Sequence, residues 1–145
     1  MNATKRLDPL INLHRLRRGI LKQLTAALKA QRQDLADRLR DLGQEWMRVR
    51  TWNTEVLASG SAPMQGVLTE RWMASAERES VDIDRRMSDL GRQIQDAEKR
   101  LMRASQDLKM LSTLQQRRAA RERELALKRE QKDLDEMASH CVSLS

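Results

Sequence analysis

IDRRMSDLGRQIQDAEKRLMRASQDLKML, residues 83–111, decides the fold of this chain. Ile83, Met87, Leu90, Ile94, Ala97, Leu101, Ala104, Leu108 and Leu111 follow one another in alternating steps of four and three, and nearly everything between them is polar. That spacing holds apolar side chains on one side of an α-helix, a side that is stable only when a second helix covers it. The rest of the chain has to supply that helix.

It does so upstream. Leu13, Leu24, Leu35, Trp46 and Leu57 recur every eleven residues, with Ile20, Leu42 and the pair Leu28 and Leu39 filling the stripe between them. Eleven residues over three turns predicts a nearly straight helix and a weakly supercoiled pair. Ser59-Gly60-Ser61-Ala62-Pro63 is the strong turn signal between the two stripes, and a link so short makes its helices antiparallel neighbours. The expected fold is therefore all-α: an antiparallel two-helix coiled-coil hairpin with a longer, overhanging second helix.

Local signals set the expected boundaries. Asp8 followed by Pro9 reads as a helix cap and first-turn proline, placing helix one over about 8–57. A turn over about 58–68 and Thr69 as a cap before Glu70 place helix two over about 69–138, although Met64 to Leu68 already suit a helix. A flexible tail, 139–145, completes a single hairpin unit over 1–145. Gly19, Gly43 and Gly91 fall inside periodic stretches, at about 1 kcal/mol each. At a rise of ~1.5 Å per residue the helices measure ~75 and ~105 Å, so ~30 Å of helix two has no counterpart in its own chain.

Composition narrows the function. Of 145 residues 34% are charged, and the aromatic side chains are three Trp with no Phe or Tyr, too few to fill a compact interior. With one cysteine, Cys141, no intrachain disulfide forms, and a reducing compartment is compatible. Met1 to Leu13 lacks an uninterrupted apolar run, and nothing approaches the ~20 apolar residues of a membrane span, so a cytoplasmic protein is expected. There is no Gly-rich phosphate loop and no Cys or His cluster with metal-ligand spacing. His14 and His140 meet at most at the open end of the hairpin, where two solvated imidazoles hold metal poorly. Carboxylates on a two-stranded coiled coil lack the desolvated cleft that separates an acid from a base. The expectation is a non-enzyme without catalytic, cofactor or metal sites.

Charge is unevenly spread. The net charge is +7, with seven Lys/Arg against one Asp in residues 1–30 and seven basic against four acidic residues in 115–133. Antiparallel pairing brings these regions together at the open end, either as an electrostatic plug for an acidic cavity or as a solvated face that keeps the chain in solution. The overhang is sustained by local pairs such as Glu124 with Lys128 or completed by another molecule. Trp46, Trp52 and Trp72 gather around the turn. Trp46 sits on the stripe, whereas Trp52 and Trp72 suit either a partner-binding tip or a small aromatic cluster sealing the turn.

Two segments carry a likeness to a known family. Leu68-Thr69-Glu70-Arg71-Trp72 after the turn, and Lys128-Arg129-Glu130-Gln131-Lys132-Asp133-Leu134-Asp135-Glu136-Met137-Ala138, resemble the FliJ/YscO family of type III protein export stalks, the flagellar branch more than the injectisome branch. The resemblance implies a small protein at the cytoplasmic face of the inner membrane. Such a protein inserts into the hexameric export ATPase, links it to the export-gate membrane protein and serves export chaperones, reaching the membrane only through partners. On that reading Arg15, Arg17, Arg18, Arg117, Arg118, Arg121, Arg123, Lys128 and Arg129 dock on the ATPase, and Trp46, Trp52 and Trp72 form a tip contact. No cofactor is implied. A nucleic-acid- or anionic-membrane-binding protein is the alternative, but it calls for a continuous basic stripe, and here acidic residues interrupt one. A generic coiled-coil scaffold is the other.

Overall fold

The computed structural model describes residues 3–60 and 63–144, with side chains at 6–60 and 66–144. It consists of two α-helices, α1 over Ala3–Ala58 and α2 over Pro63–Leu144, packed against each other as an all-α hairpin. Among the described residues there is no strand.

Both helices extend past their expected ends. α1 starts at Ala3, so Asp8 is not its cap and Pro9 lies inside it. Pro9 donates no backbone hydrogen bond there, a loss the helix tolerates because flanking residues are anchored: Leu7 is 8% and Ile11 only 2% exposed. α2 opens at Pro63, where a missing N–H costs nothing. Thr69 is consequently no cap but a mid-helix residue, 4% exposed. The tail expected to be flexible is helical through Leu144, with Ser143 Oγ donating to the His140 carbonyl at 2.8 Å. α1 closes through Ser59 N donating to the Glu55 carbonyl at 3.0 Å and Gly60 N to the Leu57 carbonyl at 3.3 Å. Gly60 has φ 75°, the left-handed geometry that ends helices and favours glycine. Ser61 and Ala62 of the expected turn lie outside the described residues.

The chain divides into two compact units, Met1–Ile20 with Leu101–Ser145, and Leu21–Arg100. In the second, Leu28 packs with Ile94 and Ala97, and Leu42 with Ala76 and Ile83. Leu35, Leu39, Trp46, Trp72 and Met87 surround that second cluster. Polar bridges cross between the helices at its edge. Lys29 Nζ lies 3.0 Å from Glu98 Oε1, and Arg38 makes a fork to Glu79, Nε to Oε1 at 2.9 Å and Nη2 to Oε2 at 3.2 Å. The Glu79 hydrogen bond, reinforced by its charge, raises the Arg38 pKa above its ordinary value. In the first unit, Leu7, Ile11 and Leu108 form the buried cluster, with Leu111 against it.

The packing corrects the period read for helix one. Leu13, Leu24 and Leu57 of the eleven-residue series are 60%, 44% and 65% exposed, and Ile20 is 56% exposed. The positions that turn inward are instead Leu7, Ile11, His14, Arg18, Leu21, Thr25 and Leu28, then Leu35, Leu39, Leu42, Trp46 and Val49, all buried or half-buried. They run in steps of four and three with one gap at Arg32, which is exposed and reaches over Gly91. α1 therefore carries the same seven-residue repeat as α2. The difference from the sequence reading arises because polar side chains hold several of its inward positions. Thr25 is the most buried of these, 6% exposed, and its Oγ1 donates to the Leu21 carbonyl at 2.8 Å. In α2 all nine residues of the 83–111 series face inward.

Candidate functional site

The first unit is built from the start of α1 and the far part of α2. Leu7 and Ile11 pack on Leu108 and Leu111, and Gln115 Nε2 donates to the Asp8 carboxylate. With the helices antiparallel, each step back along α1 matches a step forward along α2. Counting from the Asp8–Gln115 pair, Ala3 comes level with about residue 120. α2 continues to Leu144, and every residue from Arg123 to Leu144 is exposed. This bare stretch of helix is the overhang expected from the unequal helix lengths.

All nine basic residues singled out in the sequence belong to this unit. Arg15 and Arg17 are exposed, while Arg18 occupies an inward position of α1 and is half-buried. Arg117, Arg118, Arg121, Arg123, Lys128 and Arg129 are all exposed. At ~100° per residue, Arg117, Arg118, Arg121, Lys128 and Arg129 fall within one sector of about 120°, and Arg123 projects away from it. Glu124 Oε1 sits 3.4 Å from Lys128 Nζ, the local pair expected from the sequence, so Lys128 is partly neutralised within its own helix. Such a sector has the geometry to meet an acidic wall. Among the described residues no group of His, Cys, Asp and Glu is arranged to hold a metal ion.

The tryptophans separate into two roles. Trp46 and Trp72 are half-buried with ring centroids 6.3 Å apart and planes tilted by 42°, and both pack against the Leu42, Ala76 and Ile83 cluster. They seal the core next to the turn. Trp52 alone of the three is exposed, at 46%. Reading the sequence by its eleven-residue spacing missed His14, whose inward position is legible only from the seven-residue count. Its Nδ1 is buried without a hydrogen-bond partner, and its ring lines a groove with Met110, Leu111, Leu114 and Arg117 of α2.

A family model described as the flagellar FliJ protein matches residues 4–145. The chain belongs to the FliJ family. No curated protein and no solved structure matches it. The match runs through both helices and takes in the two segments that carry the likeness. FliJ membership makes the chain a component of flagellar type III protein export, the branch its C-terminal segment favoured, in a family of structural export components. Among the described residues no helix is long and apolar enough to cross a membrane.

Proposed function

We propose that this FliJ-family chain is a non-enzymatic stalk whose first unit docks into the hexameric export ATPase. The observation that carries the reading is the basic run near the end of α2: Arg117, Arg118, Arg121, Arg123, Lys128 and Arg129 are all exposed, and from about Arg123 the helix runs on past the start of α1. A basic helix without a neighbour of its own suits the bore of a ring lined by acidic side chains. Arg15 and Arg17, on the paired part of the same unit, extend the positive surface. Exposed Trp52 is the candidate contact to the export-gate membrane protein, and export chaperones are further partners. On this reading the protein works at the cytoplasmic face of the inner membrane, held there by its partners.

Reversing Arg117, Arg118, Arg121 and Arg129 to Glu together tests the docking. Each exposed charge contributes on the order of 0–1 kcal/mol, so single reversals stay nearly silent and the combination does not. The fourfold variant is expected to lose stimulation of the export ATPase while circular dichroism still reports a full helical signal. Stimulation by the unaltered protein should weaken with salt, because a Debye length of about 8 Å at physiological ionic strength screens exposed pairs. Full stimulation by the variant overturns the proposal.

A further inference from the structure

The arginines proposed to dock are not alone on their side of α2. At ~100° per residue, Met110, Leu114 and Leu125 fall within the same sector of about 100° as Arg117, Arg118, Arg121 and Lys128. From Met110 to Lys128 no acidic residue enters that sector. The three apolar side chains are 70%, 40% and 46% exposed. Met110 and Leu114 open, with half-buried Leu111, into the groove that His14 lines from α1. Leu10 and Arg17, four residues before His14 and three after it, share its strip of α1, and both are exposed. Asp107 is the one acidic side chain in the lining of the groove. α1 runs alongside as far as about residue 120, so the groove leads onto the bare part of α2 at Arg121 and Leu125.

Shape and charge together point to the occupant. An apolar groove along two packed helices is filled by a third helix, whose own apolar residues enter it at spacings of three and four. Basic side chains beside the groove, Arg17 on α1 and Arg117, Arg118 and Arg121 on α2, call for carboxylates along the flanks of that helix. We propose that the first unit takes an acidic amphipathic helix of a partner protein, lying along α2 from Met110 to Leu125, ~22 Å or about four turns. The proposal rests on the docking reading for its choice of surface and adds the form of what docks there. Nucleic acid would use the arginines but leave Met110, Leu114 and Leu125 uncovered. A flat anionic bilayer does not reach down to Leu111.

The test uses the full-length chain and a synthetic helical peptide of about 18 residues, with Leu at spacings of three and four and Glu on both flanks. One control peptide has the same composition in scrambled order, and another has Lys in place of Glu. By titration calorimetry the acidic amphipathic peptide should bind at least about tenfold more tightly than either control. Met110→Ser with Leu114→Ser removes apolar groups that are already exposed and keeps every charge. This variant should retain its helical signal in circular dichroism and bind the peptide about tenfold more weakly. In a Cys141→Ser background, Met110→Cys should be shielded from a maleimide by the peptide, whereas Gln116→Cys, about 120° further round α2, should not. No export component enters this experiment. Undiminished binding by the serine variant therefore overturns the inference while docking by charge stands, and docking itself is read from the arginine reversals in the ATPase assay. Equal binding of the scrambled peptide also overturns it, because charge alone then suffices. Capture by phosphatidylglycerol vesicles, or self-association in sedimentation equilibrium, that is lost with the same serine changes would assign the groove to a membrane or a second copy and overturn it too.

Discussion

Ile11 and Leu13 sit two residues apart on α1 and belong to different periodicities, so truncating each to Ala sets the two readings of that helix against each other. Ile11 is 2% exposed and packs with Leu7, Leu108 and Leu111. Removing three of its carbons forfeits ~2.4 kcal/mol at ~0.8 kcal/mol per buried carbon. The better helix propensity of Ala returns about 0.4 kcal/mol. The core here is only two helices thick, so the space opens to water and its walls close in, which keeps the cavity contribution small. The net loss should be near 2 kcal/mol. Leu13 is 60% exposed. The same truncation there forfeits about 1 kcal/mol before the helix propensity gain, and less than that after it. Urea unfolding followed by circular dichroism measures both, and amide exchange over residues 7–14 and 104–111 shows whether the loss falls in the first unit. A Leu13→Ala cost equal to or above that of Ile11→Ala would restore the eleven-residue stripe and refute the packing described for α1.

Other outcomes follow from the same contacts. Space around Gly43 is open for a Cβ, so Gly43→Ala should stabilise the helix by about 0.5–1 kcal/mol, whereas Gly60→Ala, at φ 75°, should destabilise the turn; thermal unfolding reads both. The Arg38→Glu and Glu79→Arg changes should each lower the melting temperature and largely cancel when combined, because the cross-helix fork is re-formed in reverse. A loss in the double variant equal to the sum of the two single losses would show that the pair contributes nothing. Trp52→Ala should leave stability within about 0.5 kcal/mol while removing the tryptophan most readily quenched by acrylamide, and Trp72→Ala should cost about 3 kcal/mol. A stability loss on removing Trp52 would make it part of the core.

Much of this architecture is written in simple spacing. The 83–111 series fixes the inward side of α2 because every one of its positions is apolar, and a Gly-Ser-Pro-rich link dictates the hairpin. The inward side of α1 is hidden because His14, Arg18 and Thr25 occupy inward places. Thr25 is held there by a bond that a sequence pattern does not display, from its Oγ1 to the Leu21 carbonyl. Exposed leucines at 13, 24 and 57 then imitate a stripe of their own. The helix ends depart from their local signals for a related reason. Asp8 and Pro9 have the residue types of a helix start, but Leu7 and Ile11 are anchored on α2 and carry the helix back past them. At the candidate site, the bare basic segment was legible from unequal helix lengths and charge. The division between Trp52 and the Trp46–Trp72 pair was not, since it depends on which rings the cluster around Leu42 admits.

Docking of the first unit on the export ATPase is the centre of the functional account, and site-specific crosslinking tests it most directly. A photoreactive side chain would be placed singly at Arg121 and Arg129, both exposed in the first unit, and at Arg85 and Arg86, exposed in the second. Illumination in the presence of the assembled ATPase is expected to give adducts from 121 and 129 that disappear at high salt, with 85 and 86 giving little. Adducts confined to 85 and 86, or none from 121 and 129 under conditions where the ATPase is stimulated, would contradict it.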